Sequence, residues 1–141
     1  MIRMANTLQT ITRPVPKVIN PAIHAVADYG AAAGLACLGL YLRDRNPTLA
    51  MFAFINAGLV VMTSLLTRYP GGVFPVMSFK THGMMDAAQG AMLAAGPAML
   101  GDANDPDAKL FYGQAVLEMG VVAATDWDSQ AGTRRRARTT A

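Results

Sequence analysis

Apolar residues run along the chain in four long stretches separated by short polar breaks, and that alternation predicts four helices. The stretches are Ala22 to Leu42, Leu49 to Thr67, His82 to Leu100 and Lys109 to Thr125. Each falls within, or at the short edge of, the roughly 17 to 25 residues that cross a hydrocarbon core about 30 Å thick. Alanine and glycine are abundant and β-branched runs are few, which favours helices over strands. The breaks carry turn chemistry. Arg43 to Thr48 holds three charges with Asn46 and Pro47, Tyr69 to Pro75 holds Pro70-Gly71-Gly72, and Gly101 to Pro106 is acidic.

A shift of 58 residues lays the first half on the second without a gap, placing His24 on His82, Asp28 on Asp86, Asp44 on Asp102, Asn46 on Asn104 and Thr67 on Thr125. Leu35 and Leu42 fall on Leu93 and Leu100, Asn56 on Gln114, and Tyr69 on Trp127. Apolar coincidences are cheap in such a chain and polar ones are not, so the pattern predicts a duplicated helical hairpin. A two-helix unit returns to the side where it began, so the halves should be parallel about an axis along the membrane normal. The expected fold class is all-α, a four-transmembrane-helix bundle of two repeated hairpins. The expected segments are 1–21 at the cytoplasmic N-terminus, hairpin 22–67, middle loop 68–81, hairpin 82–125 and a basic cytoplasmic tail 126–141.

Composition strengthens the membrane reading. Of 141 residues 52% are hydrophobic and only 15% charged, against about 25% charged in soluble domains. Met1 to Pro21 has no uninterrupted apolar run of signal-peptide length, which predicts no cleaved export signal. Nine of the twelve Lys and Arg residues lie at the termini and middle loop: Arg3, Arg13, Lys17, Arg68, Lys80, Arg134, Arg135, Arg136 and Arg138. The positive-inside rule then predicts both termini in the cytoplasm. Tyr69, Phe74, Phe79 and Trp127 are expected as aromatic anchors at that interface. The basic run Arg134 to Arg138 suits contact with anionic lipid. It is too short, and without a binding fold, to suggest nucleic acid.

The run His82, Asp86, Gly90, Leu93, Pro97 to Gly101, with its echo in His24, Asp28 and Leu35, resembles the bacterial SPW-repeat integral membrane proteins. The resemblance spans about Pro21 to Thr125 and implies architecture, two repeated hairpins, with no assigned activity. The Ser-Pro-Trp triplet that names the family reads here Gly96-Pro97-Ala98, and Leu38-Gly39-Leu40 in the first half.

Candidate chemistry is confined to a few polar side chains inside the apolar stretches. His24 with Asp28, and His82 with Asp86, share a helix face at i and i+4. Acids inside a membrane are costly and should face the bundle interior. Glu118 and Gln114, also at i and i+4, are expected at a similar depth, so three carboxylates and two histidines could meet in one layer. Three readings follow. Each His can bond its own Asp as a structural tie; His24 and His82 can bind haem, chlorophyll or, with Asp28 and Asp86, a metal ion; or Asp28, Asp86, Glu118 and Gln114 can line a proton or cation path. Gly30, Ala32, Gly34 and Ala36 suit close helix packing or an oligomer seam. Met84, Met85, Met92 and Met99 suit gap filling. The single Cys37 forms no intrachain disulfide. Without a phosphate loop or nucleophile elbow, the expectation is no enzyme but a structural or accessory subunit, bound to other membrane subunits or to itself.

Overall fold

The computed structural model describes residues 15–129. Arg3, Arg13 and the Arg134 to Arg138 run lie outside the described residues. The described residues form four helices: α1 (Pro21–Leu42), α2 (Pro47–Leu66), α3 (Phe79–Met99) and α4 (Ala108–Ala124). Their bounds fall within three residues of those expected. Among the described residues there are no strands, only two isolated parallel bridges.

Three of the four helices start at a capping side chain, while Asp107 precedes α4 without a side-chain cap bond. Asn20 accepts from the amides of Ala22 and Ile23, both at 3.0 Å, and Pro21 opens α1. Asn46 caps α2 ahead of Pro47, and Ser78 caps α3. Gly101 adopts φ +84° just after α3, a conformation that favours glycine, and turns the chain into the acidic loop.

α1 packs closely on α2 and α3 on α4, while contacts between the two hairpins are sparser. The central core is aliphatic around one buried ring: Leu35, Leu42, Leu49, Ala53 and Leu93 with Phe111. Gly96 lets the ring of Phe52 approach so closely that a Cβ there would lie 2.2 Å from it. Gly30 and Gly34, by contrast, have nothing within 4 Å of an added Cβ, so the expected close packing at these two glycines does not occur within the chain. Met85 and Met99 point outward instead of filling gaps.

At one end the loops interlock through Asn46, whose amide donates to Asp102 at 3.1 Å and Asp105 at 2.9 Å, and through Arg45, 3.0 Å from Asp107. The Asn46 hydrogen bond lowers the pKa of Asp105, and Asp107 raises that of Arg45. At the other end the lead-in to each hairpin pairs with the exit of a hairpin. Ile19 bridges Thr125 and Met77 bridges Thr67, positions that are 58 apart in both partners. Two helices, α1 and α2, are long and apolar enough to cross a membrane.

Candidate metal centre

His24 and His82 each sit in the first turn of a helix, four residues after the caps Asn20 and Ser78. Asp28 and Asp86 follow one turn later on the same faces, and the packing of the hairpins brings both faces together. Both imidazoles are fully buried and both aspartates are 7% exposed.

The four side chains form a closed alternating tetrad. His24 Nε2 lies 3.0 Å from Asp86 Oδ2 and 3.3 Å from Asp28 Oδ1. His82 Nε2 lies 3.0 Å from Asp28 Oδ2 and 3.2 Å from Asp86 Oδ2. The i, i+4 pairing expected from spacing is present, but the shorter contact of each histidine is to the aspartate of the other hairpin. Helical spacing specifies a shared face and says nothing of what another helix brings to it.

The remaining ring nitrogens define the proton positions. His24 Nδ1 is 2.9 Å from Thr125 Oγ1 and His82 Nδ1 is 2.8 Å from Thr67 Oγ1. Each hydroxyl already donates to the carbonyl four residues back, Thr125 to Val121 at 2.6 Å and Thr67 to Thr63 at 2.7 Å. A hydroxyl has one proton to give. Each threonine must therefore accept from Nδ1–H, an assignment made from the network. At His24 the other ring nitrogen is also a donor, with Nε2–H given to Asp86 Oδ2 at 3.0 Å. For His82 the short contacts are lateral: neither oxygen lies where an N–H would point, and Nε2 is buried without a hydrogen bond.

Asp28 is held further by Tyr69, whose hydroxyl donates to Oδ2 at 2.7 Å, and by Ser64 at 3.4 Å. Burial raises the Tyr69 pKa, and the Asp28 carboxylate reinforces the shift, so the phenol stays a donor. Trp127 lays its ring 4.9 Å from that of His24 and donates Nε1–H to Val122 O at 3.0 Å. Tyr69, Phe79 and Trp127 are thus buried over the tetrad, not spread as interfacial anchors, and only Phe74 of the expected four is exposed. Folding the helix exits back over the histidines gives these rings an apolar contact and their polar atoms a partner.

One ligand atom from each of His24, Asp28, His82 and Asp86 falls within 4.8 Å of the others. Haem or chlorophyll does not fit between His24 and His82, because the carboxylates fill the space their Nε2 atoms face and the imidazole centroids are only 5.3 Å apart. Glu118 and Gln114 stand beside the tetrad, lining a cavity that Asp28 and Asp86 also line. The threonines, Tyr69, Ser64 and the two caps were not singled out from sequence as site residues. The available signal was the match of Thr67 to Thr125 at the ends of apolar runs. No protein-family model, curated protein or solved structure matches the chain.

Proposed function

We propose that this is a four-span membrane protein of two repeated hairpins that holds one divalent transition-metal ion, with Zn²⁺ the best fit, between His24, Asp28, His82 and Asp86. The observation that carries the reading is the convergence of one buried ligand atom from each of the two histidines and two aspartates within 4.8 Å, with each Nδ1 held by a threonine hydroxyl. Two carboxylates in a buried place need positive charge among them, and without an ion only imidazole protons such as that on His24 Nε2 can provide it. A divalent cation supplies it and takes all four as ligands. Metal-bound histidines commonly donate their other N–H to an oxygen in this way. At the Zn–N and Zn–O lengths of about 2.0 to 2.2 Å, tetrahedral ligand atoms stand roughly 3.3 to 3.5 Å apart. The neighbouring N···O contacts of 3.0 to 3.3 Å are slightly tighter, and the four ligand atoms all lie within 4.8 Å of one another, so binding requires a local rearrangement of the four side chains.

Four protein ligands leave no position for a substrate, which fits a structural centre better than a catalytic one. The ion would tie α1 to α3 where the hairpins otherwise touch sparingly. Its biological setting is then a non-enzymatic structural or accessory role in a membrane assembly.

The membrane reading is supported by an inverted distribution of side chains. Ile23, Val26, Met51, Ile55, Val116 and Leu117 are exposed, whereas His24, Asp28, Asn56, His82, Asp86 and Gln89 are buried. Only 33% of the apolar window of α1 and 44% of that of α2 is buried within the protein, unlike the core helices of a soluble fold. α3 is less apolar in composition because its polar residues face inward, and α4 is one turn shorter than α3. The reciprocal contacts at positions 58 apart support the repeat, as does the resemblance to SPW-repeat proteins.

The test is titration of the detergent-purified protein with Co²⁺, whose d–d bands are intense in four-coordinate sites. One Co²⁺ per chain, displaced by Zn²⁺ and lost in Asp28→Asn/Asp86→Asn, is expected. A parent protein that takes up no ion overturns the reading.

A further inference from the structure

We propose that the cavity beside the tetrad is a binding site for a neutral, lipid-soluble molecule bearing a hydroxyl on a ring, which enters sideways from the bilayer and hydrogen-bonds Glu118. The inference rests on the membrane reading and is independent of the ion. The cavity, of about 240 Å³, lies between α1 and α4, with Gly30, Ala31, Leu117 and Val121 among its apolar walls and Gln114, Glu118, Asp28 and Asp86 as its polar lining. Gly30 and Leu117 are exposed, which puts its mouth on the outside of the bundle.

The depth of that mouth selects what can enter. Gly30 follows Pro21, the first residue of α1, by nine residues, and Leu117 precedes Ala124, the last of α4, by seven. At 1.5 Å per residue the mouth lies about 10 to 14 Å along the helices from the histidine end. A hydrocarbon core is about 30 Å thick, so the opening meets acyl chains. Ions are excluded from that region, whereas neutral apolar molecules concentrate there.

The lining selects a hydroxyl. Glu118 Oε2 is buried and has no hydrogen-bond partner, and an oxygen kept from solvent without a partner is costly. Its acidic neighbours in the cavity, Asp28 and Asp86, bring no cation to it. A hydroxyl matches Glu118 in either protonation state, because it donates to a carboxylate and accepts from a carboxylic acid. Size points to a ring. An apolar cavity of about 150 Å³ is enough for benzene, and this one is larger. On the α1 side Ala27, Gly30 and Ala31 share one helix face and leave a shallow wall for a ring to lie against. The hydroxyl then points inward to Glu118, and any apolar tail leaves through the mouth into lipid.

The experiment measures radiolabelled 4-octylphenol bound to the full chain in lipid nanodiscs, with partition into empty nanodiscs subtracted. Saturable binding of one molecule per chain is expected. Octylbenzene, which lacks the hydroxyl, should compete about tenfold or more weakly, the scale of one hydrogen bond to a buried acid; 1-octanol, which lacks the ring, should also compete less well. Glu118→Leu should weaken 4-octylphenol binding by the same factor, while Glu118→Gln keeps a polar partner and should stay close to the parent. Gly30→Leu should abolish binding by filling the mouth, and the fold accommodates it because a Cβ there meets nothing within 4 Å. Absence of saturable binding by the parent, equal competition by octylbenzene or 1-octanol, or parental affinity in Glu118→Leu or Gly30→Leu would overturn the site. Recovery of the parent in the aqueous instead of the membrane fraction would overturn the membrane reading, and the lateral route with it.

Discussion

Replacing Thr67 by Val tests the proton assignment on which the metal reading depends. The change is nearly isosteric, so it opens no cavity, and it deletes the one acceptor 2.8 Å from His82 Nδ1. Thr67 and His82 are both fully buried, so water cannot take the hydroxyl's place. A buried donor left unpartnered costs about 1 to 3 kcal/mol, so the middle of that range shifts the folding equilibrium about thirtyfold. Loss of such an outer hydrogen bond typically weakens metal affinity about 10- to 100-fold. Unfolding in mixed detergent micelles and competitive Zn²⁺ titration read the two effects separately. Thr67→Ser keeps the hydroxyl and should retain the affinity, losing only stability on the order of one buried methyl group, about 0.8 kcal/mol. Thr125→Val should behave like Thr67→Val, because His24 Nδ1 meets Thr125 at 2.9 Å. A Val variant with parental stability and parental affinity would refute the assignment.

Tyr69→Phe removes the donor 2.7 Å from Asp28 Oδ2 and should lower stability by about 1.5 to 3 kcal/mol, as for hydrogen bonds to charged groups; an unchanged melting profile would count against the buried position of Tyr69. Asp105→Asn should destabilise the loop end at neutral pH. Because the folded pKa of Asp105 is lowered by Asn46, the contribution is complete above the ordinary carboxylate value near pH 3.9 and fades as pH falls through the lower folded value. The stability gap between parent and variant should therefore close on acidification, and a gap that widens would contradict the sign. Reporter fusions at both termini and at Asn104 should place the termini together in the cytoplasm and Asn104 outside. A periplasmic C-terminus would defeat that topology.

The helices were legible in the chain because long apolar runs and Pro- or Gly-bearing breaks act locally. Asn20, Pro21 and Ser78 added starting signals of the same local kind. The 58-residue match placed His24 on His82 and Asp28 on Asp86, and the structure brings these four side chains into one cluster. Which pairs touch was not legible, since i, i+4 spacing reports one helix and the crossed contacts depend on how two hairpins meet. Tyr69 and Trp127 were misplaced for a similar reason. An aromatic residue beside a membrane-length helix suits the interface, but here the exits turn back over the histidines through the Thr67–Met77 and Ile19–Thr125 bridges. Those bridges depend on residues 10 and 106 positions apart, and no helical period encodes them. Met85 and Met99 show the same limit, because a bundle this rich in buried small residues leaves long side chains on the outside.

Zinc-edge X-ray absorption on the purified, zinc-loaded protein tests the central claim most directly. The account predicts one zinc per chain with four nitrogen or oxygen neighbours at about 2.0 to 2.2 Å, and an imidazole multiple-scattering signal that requires two histidines and weakens when His24 or His82 is replaced. A spectrum of zinc surrounded by water alone, or one unchanged in His24→Ala and His82→Ala, would contradict it.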